Sequence, residues 1–268
     1  MNQTIRKYSR HSRRAAFTML ELGIVIVAIG ILAGAIMSGQ VMLDRAKLRK
    51  VMIMGSNYRT AMEQFRQKYQ YIPGDFPTAT YVWGYASGSG ANCTHPDTDA
   101  STGDATCNGD GDGRITLNNC EVYRAWQQLA AAKLVDGRFS GVSGLAGGCS
   151  PNSVPGTNVP AGVLKATGYS WVSLGDLASD PKFFDGNYDN TLMFGVARNS
   201  HYTVFGAIKP VEANELDEKI DDGVAATGYL RAMKGACVSG SNYMLTSSDK
   251  VCTLLFMPGL GLQNRAPD

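Results

Sequence analysis

The stretch Ala15-Ala16-Phe17-Thr18-Met19-Leu20-Glu21-Leu22 opens an apolar run that reaches Met37. A helix that crosses the hydrocarbon core of a bilayer needs about 20 predominantly apolar residues, and this run has that length. Glu21 is the one charged side chain within it. A lone charge at membrane depth is costly, so residues of this kind are usually functional. Glu21 is therefore the first candidate functional residue.

The residues before Phe17 form a basic leader peptide that contains no acidic side chain. Its positive charges are Arg6, Lys7, Arg10, Arg13 and Arg14. A secretory signal has its small-residue cleavage site after the apolar core, whereas Ala15 and Ala16 stand before this one. Lys and Arg keep a flank in the cytoplasm, which predicts a cytoplasmic N-terminus. Hydropathy alone leaves an ordinary single-pass anchor as an equal alternative.

A basic leader, a small residue, Phe, Thr, an apolar pair and then Glu follow one another at the start of the run. This order resembles the N-terminal signal of type IV prepilins and type II secretion pseudopilins. The resemblance implies that a prepilin peptidase cleaves between Ala16 and Phe17 and that the new Phe17 terminus is N-methylated. It also implies a bacterial inner-membrane protein with a periplasmic head, whose subunits assemble into a periplasmic or extracellular helical filament. Ala16 stands where the family usually has Gly, which predicts slower processing.

Glu21 has a physical role in such a filament. Cleavage leaves a cationic amine on Phe17, which precedes Glu21 by about one helical turn. Staggered parallel helices would pair the amine of one subunit with the carboxylate of its neighbour, because a buried charge without a partner costs several kcal/mol. Pairing of Glu21 with the amine of its own chain is the alternative. Gly30 and Gly34 add a GxxxG pattern that lets helices approach closely.

The helix is predicted to continue beyond the membrane, because no proline occurs between Phe17 and Ile72. Its second half carries an apolar stripe at three- and four-residue intervals, typical of a helix face that packs on a core: Val51, Met54, Tyr58, Met62, Phe65, Tyr69 and Ile72. We expect a leader at 1–16, a transmembrane or filament-core helix at 17–38, an amphipathic stem at 39–72 and a head at 73–268. The pilin resemblance implies an α+β fold in which the long N-terminal helix packs on a head with an antiparallel sheet and short helices.

The head is acidic. Residues 73–268 contain 13 Lys and Arg against 20 Asp and Glu, a net charge of −7. Binding to a phosphate backbone requires clustered Lys and Arg, so nucleic acid is not an expected partner of the head. An acidic head is compatible with cation binding.

All six cysteines follow the apolar run, at Cys93, Cys107, Cys120, Cys149, Cys237 and Cys252. In an oxidising compartment an even set predicts up to three disulfides. We favour Cys237–Cys252, an isolated C-terminal pair similar to the terminal disulfide of many pilins, and then Cys93–Cys107. A zinc site is the less favoured alternative, because the spacings contain no C-x-x-C motif.

Oxygen-bearing side chains alternate with glycine between residues 108 and 113. This pattern matches the first half of an EF-hand calcium loop, with Gly113 at the sixth position. The twelfth position holds Asn119, where an EF-hand has a bidentate Glu, and Glu121 follows two residues later. The predicted calcium ligands are Asn108, Asp110, Asp112, the Arg114 carbonyl and Glu121. A solvated Gly/Asp turn is an equal alternative.

The rest of the head contains weaker signals. Helices are predicted at 121–135, with Asn118 or Asn119 as N-cap, and from Pro210 to Asp221. Strands are predicted at 169–174, 192–197 and 202–208, the last two forming a hairpin. Segments 71–77 and 216–223 resemble segments of large prepilin-type proteins. For Asp217, Asp221 and Asp222 we favour a solvated helix face over a second cation site.

No nucleophile–base pair, P-loop or dinucleotide motif is recognisable, so we expect a protein that is not an enzyme. The large head favours a minor pilin or an accessory pseudopilin. Its expected partners are prepilin peptidase, other pilin or pseudopilin subunits and the inner membrane. The alternative is a membrane-anchored, calcium-dependent surface-binding module that does not polymerise.

Overall fold

The computed structural model describes residues 18–86, 93, 99–101, 103–144 and 149–258. The chain divides into two compact units, Met1–Ala46 and Lys47–Asp268. The long N-terminal helix, Met19–Tyr69, contains this boundary: its first part belongs to the first unit and its second part to the second. The second unit combines an antiparallel sheet with short helices, so the α+β class predicted from the sequence is confirmed.

Four α-helices and eight strands are present in the described residues. The helices are α1 Met19–Tyr69, α2 Ala79–Trp83, α3 Glu121–Ala131 and α4 Pro210–Ile220, with a 3₁₀ turn at Asn118–Cys120 before α3. The strands are β1 Thr167–Val172, β2 Asp176–Leu177, β3 Gly186–Asn187, β4 Thr191–Val196, β5 Leu230–Ala232, β6 Val238–Ser239, β7 Asn242–Tyr243 and β8 Leu254–Phe256.

The main sheet has the strand order β1-β4-β8-β5, and its neighbouring strands are antiparallel. Tyr169 lies opposite Phe194, while Phe256 lies between Leu192 and Leu230. Strands β2 and β3 form one small hairpin, and β6 and β7 form another. The sheet therefore brings residues near the end of the described chain into its interior.

The predicted strand at 202–208 is wrong, and so is the hairpin that it would form with 192–197. This segment makes only isolated bridges, Val196 to Phe205 and Ile208 to Cys252. Strand β1 lies along one edge of β4, and β8 occupies the other edge at Leu192–Phe194, so the 202–208 segment can bridge β4 only at its end, at Val196. Residues 202–208 therefore touch the end of β4 and then pass on to Cys252, without forming a strand of their own.

The second part of α1 lies in the core of the head. Val51, Met62 and Phe65 are fully buried, as the apolar stripe predicts. The Tyr169 hydroxyl on β1 donates a hydrogen bond to the Val51 carbonyl over 2.9 Å. The ring of Tyr58 makes an edge contact with Trp126 of α3 at 5.0 Å between centroids. Helix α1, helix α3 and the sheet thus share one apolar core.

Helix α3 begins without the predicted asparagine cap. Asn118 and Asn119 lie in the 3₁₀ turn, and the N-cap is Cys120 in the left-handed conformation, without a side-chain cap. The Cys120–Cys149 disulfide ties this N-cap to the rest of the head. The helix is buried nearly all round and ends at Ala131, four residues before the predicted end.

Three disulfides cross-link the head. Cys93 is bonded to Cys107 and Cys237 to Cys252, the two pairs that we favoured from the sequence. The third joins Cys120 to Cys149. The bonds close segments of 14, 15 and 29 residues, respectively, so each staples a local region.

Candidate functional sites

The apolar first part of α1 is open on all sides within its own unit. Large apolar side chains between Met19 and Leu43 are 48–94% exposed. Among the described residues, α1 is the helix long and apolar enough to cross a membrane, and Glu21 is the acid in its first turn. A face of this size has to be covered, because soluble monomers rarely leave so much contiguous apolar surface in water.

Thr18 and Glu21 form a capping box at the start of α1. Thr18 Oγ1 accepts a hydrogen bond from the Glu21 N–H at 3.2 Å, and Glu21 Oε2 accepts from the Thr18 N–H at 3.0 Å. Thr18 Oγ1 also donates to Glu21 Oε2 at 3.1 Å. The sequence analysis missed this motif, although Thr-x-x-Glu before an apolar run is its signature. Glu21 thus satisfies backbone groups of its own helix.

The other predicted assembly and processing residues divide into two sets. A Cβ atom added to Gly30 or Gly34 would meet no heavy atom within 4 Å, so the backbone at the GxxxG pattern is accessible. Ala16 and Phe17 lie outside the described residues. The cleavage position therefore remains a prediction.

The 108–114 loop wraps around Asp75, a residue that the sequence analysis did not connect with it. Asp75 Oδ1 accepts hydrogen bonds from the N–H groups of Gly111 and Asp112, at 2.6 and 3.0 Å, and Oδ2 accepts from Gly113 N–H at 2.8 Å. Gly109 permits this close approach, since a Cβ there would lie 2.4 Å from the Asp75 Cα. The loop is thus a nest of backbone donors closed on a buried carboxylate.

Glu121, at the start of α3, binds one residue within the same loop and one residue just after it. Its Oε1 accepts a hydrogen bond from the Asp110 N–H at 3.0 Å. Its Oε2 accepts from both the N–H and the hydroxyl of Thr116, each at 3.0 Å. Carboxylate oxygens of Asp75, Asp110 and Glu121 lie within 4.8 Å of one another. We call these three residues the loop carboxylate cluster.

The structure distributes the five predicted calcium ligands between this cluster and other roles. Asp110 and Glu121 belong to the cluster. Asn108 Oδ1 accepts a hydrogen bond from the Thr80 N–H at 2.8 Å, and Asp112 Oδ1 accepts from the Arg114 N–H at 2.8 Å. The role of the Arg114 carbonyl as a ligand stays a prediction, while the guanidinium of the same residue pairs with Asp189 at 2.9 Å. The oxygen ligands that the loop carboxylate cluster offers therefore differ from those of an EF-hand, and Asp75 is the residue that the EF-hand pattern does not include.

The electrostatics of the loop carboxylate cluster favour a bound proton or a cation. Burial raises the pKa of Asp75 to about 7, opposed by the N–H groups of Gly113 and Gly111 and increased by the Asp110 carboxylate. Burial likewise raises the pKa of Glu121 to about 8, opposed by the N–H groups of Thr116 and Asp110. Oxygen donors of this kind suit a hard cation such as calcium. Calcium binding by this loop stays a prediction.

Comparison with models of protein families, with curated proteins and with solved structures finds no match to this chain.

Proposed function

We propose that this protein is a structural subunit, a minor pilin or pseudopilin, of a type IV pilus or type II secretion-type filament. In this proposal prepilin peptidase cleaves between Ala16 and Phe17 in the inner membrane. The mature subunit then assembles through its N-terminal helix, and its disulfide-linked head faces the periplasm or the exterior. The observation that carries the proposal is the exposed apolar part of α1, with Glu21 as the acid of its first turn.

The exposed apolar surface of this helix segment has to be covered both before and after assembly, first by lipid and then by other helices. A single apolar helix of this length is covered by lipid when it spans a bilayer. Outside the bilayer, the same surface needs other apolar helices around it, and the open backbone at Gly30 and Gly34 allows such helices to approach closely. A subunit that is stored in a membrane and then polymerised meets both conditions.

In this proposal Glu21 fixes the register between the N-terminal helices of neighbouring subunits. Its Oε2 accepts the capping hydrogen bonds from Thr18, and no bond to Oε1 is found among the described residues. Oε1 is thus available to a cation from a neighbouring subunit, while Oε2 keeps its hydrogen bonds to Thr18 at the start of the helix. The amine of a processed Phe17 in an adjacent subunit is such a cation.

Mass spectrometry of the N-terminus of the mature protein tests the proposal. We expect a chain that begins at methylated Phe17 when the protein is produced together with prepilin peptidase. A mature protein that retains Met1 contradicts the proposal.

The variant Glu21→Ala tests assembly separately from processing. We expect normal cleavage but failure to enter filaments, measured by the amount of protein in a sheared filament fraction. Glu63→Gln is the matched control, because it removes a carboxylate from the same helix at a half-exposed i,i+4 pair with Arg59. Equal incorporation of Glu21→Ala and the control would argue against an assembly role for Glu21.

The loop carboxylate cluster favours a second candidate function, a membrane-anchored module that binds a surface in a calcium-dependent manner and does not polymerise. This function predicts that Glu21→Ala has no effect and that chelation of calcium abolishes binding to the surface. The sheared fraction and a binding assay with and without chelator distinguish the two candidates.

A further inference from the structure

Three carboxylates meet at the C-terminal end of α4, on the side of the head where β5 and β7 contact this helix. One carboxylate oxygen from each of Asp217, Asp221 and Asp222 lies within 4.8 Å of the others. We call these residues the α4 cluster. The C-terminal end of a helix carries partial negative charge and favours cations. Three acids at this position therefore repel one another and the helix end unless a cation is present.

Asp217 is the residue that distinguishes this cluster from an ordinary acidic surface. Its side chain is fully buried. Oδ2 accepts a hydrogen bond from the Tyr243 hydroxyl at 2.9 Å, whereas Oδ1 is buried without a hydrogen-bond partner among the described residues. A buried charged oxygen without a partner is costly. The arrangement thus leaves a ligand position beside two further carboxylates.

Hydrogen bonds hold the two outer carboxylates in place. Asp221 Oδ2 accepts from the N–H groups of Tyr229 and Leu230 at the start of β5. Asp222 Oδ1 accepts from the Val224 N–H at 2.9 Å, and Oδ2 accepts from the Thr227 hydroxyl. These bonds fix the loop that returns from α4 to β5. They leave further lone pairs on both carboxylates, since each ionised carboxylate has about four acceptor positions.

Among the described residues, cations of the protein do not form a salt bridge with the cluster. No salt bridge within 4.0 Å joins Asp217, Asp221 or Asp222 to a Lys or Arg among the described residues. The pKa of Asp222 is lowered mainly by the Thr227 hydroxyl, then by backbone N–H groups that include Val224, and least by the nearby cation Arg231. Its guanidinium Nε donates to the Gly228 carbonyl, and the group lies over the ring of Tyr188 at 5.7 Å from the centroid.

Burial raises the pKa of Asp217 to about 6, opposed by the Tyr243 hydroxyl and raised further by Asp222 and Asp221. The backbone N–H of Gly223 also lowers this pKa. A cation that favours the ionised form would reverse this shift, because opposite charges within a few ångströms lower the pKa of a carboxyl group.

We propose that Asp217, Asp221 and Asp222 bind one calcium ion at the C-terminal end of α4. Asp217 Oδ1 is the buried ligand, the two outer carboxylates are the exposed ligands, and water completes the coordination. Calcium takes six to eight oxygen ligands in flexible geometry, which suits three carboxylates on a helix end and an irregular loop. Zinc prefers nitrogen and sulfur ligands, which the cluster lacks. The site does not depend on the filament function proposed above.

Calorimetric titration of calcium chloride into the detergent-solubilised full chain, prepared free of metal with a chelator and then dialysed, tests this proposal. We expect Asp217→Asn to lose one binding site or to weaken it at least tenfold. Glu215→Gln, which removes an exposed carboxylate from the same helix, should bind as the wild type does. Absence of binding by the wild type, or wild-type binding by Asp217→Asn, would overturn the proposal.

Asp222→Asn provides a second variant, because its side chain is exposed and the amide keeps one acceptor oxygen. If Asp217→Asn fails to fold, judged by its unfolding transition in chelator, Asp222→Asn decides the test. We expect it to weaken the same site at least tenfold, and an unchanged affinity would overturn the proposal.

Discussion

Asp75 determines the conformation of a loop that is far from it in sequence. Its carboxylate accepts the N–H groups of residues 111–113, and no other acceptor for Gly111 or Gly113 is found among the described residues. A buried donor that loses its acceptor costs about 1–3 kcal/mol. Asp75 is thus a structural centre of the head as well as a candidate ligand.

Replacing Asp75 with Asn should destabilise the head by about 2 kcal/mol or more, because an amide offers one acceptor oxygen and turns an NH₂ group toward an N–H donor. Urea unfolding of the detergent-solubilised chain, followed by the fluorescence of its three tryptophans, measures the change. Asp112→Asn is the control: its side chain is exposed, its Oδ1 acceptor is kept, and the expected change is within about 0.5 kcal/mol. Equal midpoints for the two variants would contradict this role.

The loop carboxylate cluster should also make stability depend on pH. The pKa values of Asp75 and Glu121 are about 7 and about 8 in the folded protein, against about 4 in an unfolded chain. The folded state therefore holds more protons, and stability falls as pH rises between these values. This contribution is fully present below about pH 4 and is lost as pH rises through 7 and 8.

Thermal unfolding at pH 5, 6.5 and 8.5 in the presence of a chelator measures this dependence. The midpoint should fall across the series for the wild type and fall less for Asp75→Asn and Glu121→Gln. Asp217, with a pKa of about 6, acts in the same direction in all three proteins. The difference in slope therefore isolates the cluster, and identical slopes would refute the assignment.

Residue roles were predictable only where their partners are near in sequence. Thr18 and Glu21 form a local motif that pattern analysis could have found. Asp75 could not be found in this way, since its partners lie 36–38 residues further along and are backbone groups. The calcium pattern of residues 108–113 is local too, but the fold determines which of its oxygens face one another.

At the scale of elements, the contact of α1 with β8 depends on a missing side chain. A Cβ atom at Gly55 would lie 2.5 Å from two ring carbons of Phe256. Phe256 is itself 1% exposed and lies between β4 and β5, so the ring has little room to move. Glycine here is therefore a packing requirement within a helix that would otherwise prefer alanine.

Gly55→Ala should destabilise the head by about 1–3 kcal/mol through overpacking, reduced by up to about 1 kcal/mol of gained helix propensity. Ser56→Ala, at the exposed neighbouring position, should gain a few tenths of a kcal/mol. Urea midpoints of both variants test the contact. A Gly55→Ala protein as stable as Ser56→Ala would show that Phe256 moves aside without cost.

The Cys237–Cys252 disulfide connects the residue just before β6 with the segment just before β8. Closing a loop of about 15 residues contributes about 3 kcal/mol in the chain-entropy model. The double variant Cys237→Ala, Cys252→Ala should therefore lower the free energy of unfolding by about this amount in non-reducing buffer. A wild-type midpoint in urea would contradict the estimate.

Elements were predictable where they are long or periodic. Helices α1 and α4 and strands β1 and β4 lie within three residues of their predicted limits at each end, whereas α3 ends four residues early. Strands β5 and β8 have three residues each, too few to show an alternating pattern. The place beside β4 that the sequence pattern predicts for residues 202–208 is mostly occupied by β8.

At the scale of the whole molecule, most of the exposed large apolar side chains lie on one side of the boundary between the two units. Among the described residues, 15 exposed large apolar side chains lie between Met19 and Leu43, and six lie elsewhere. The second unit begins at Lys47 and contains the sheet, the disulfides and the shared core. It therefore has what an independently folding domain requires.

A chain that begins at Lys47 should be a monomer in water without detergent and should unfold within a few degrees of the full chain. Size-exclusion chromatography with light scattering and thermal unfolding measure both properties. The full chain without detergent is the control and should aggregate. A Lys47 chain that aggregates as well would show that the head needs the first unit.

The position of β8 in the sheet also sets the order of events during biosynthesis. It follows the other described strands in the chain, yet it lies between β4 and β5. A nascent chain that ends before residue 252 lacks the strand joining β5 to the sheet and the partner of Cys237. Pairing across such separations is slow, and it cannot start before the ribosome has passed Phe256. The four-stranded sheet of the head consequently cannot be completed until the segment that contains β8 has been synthesised.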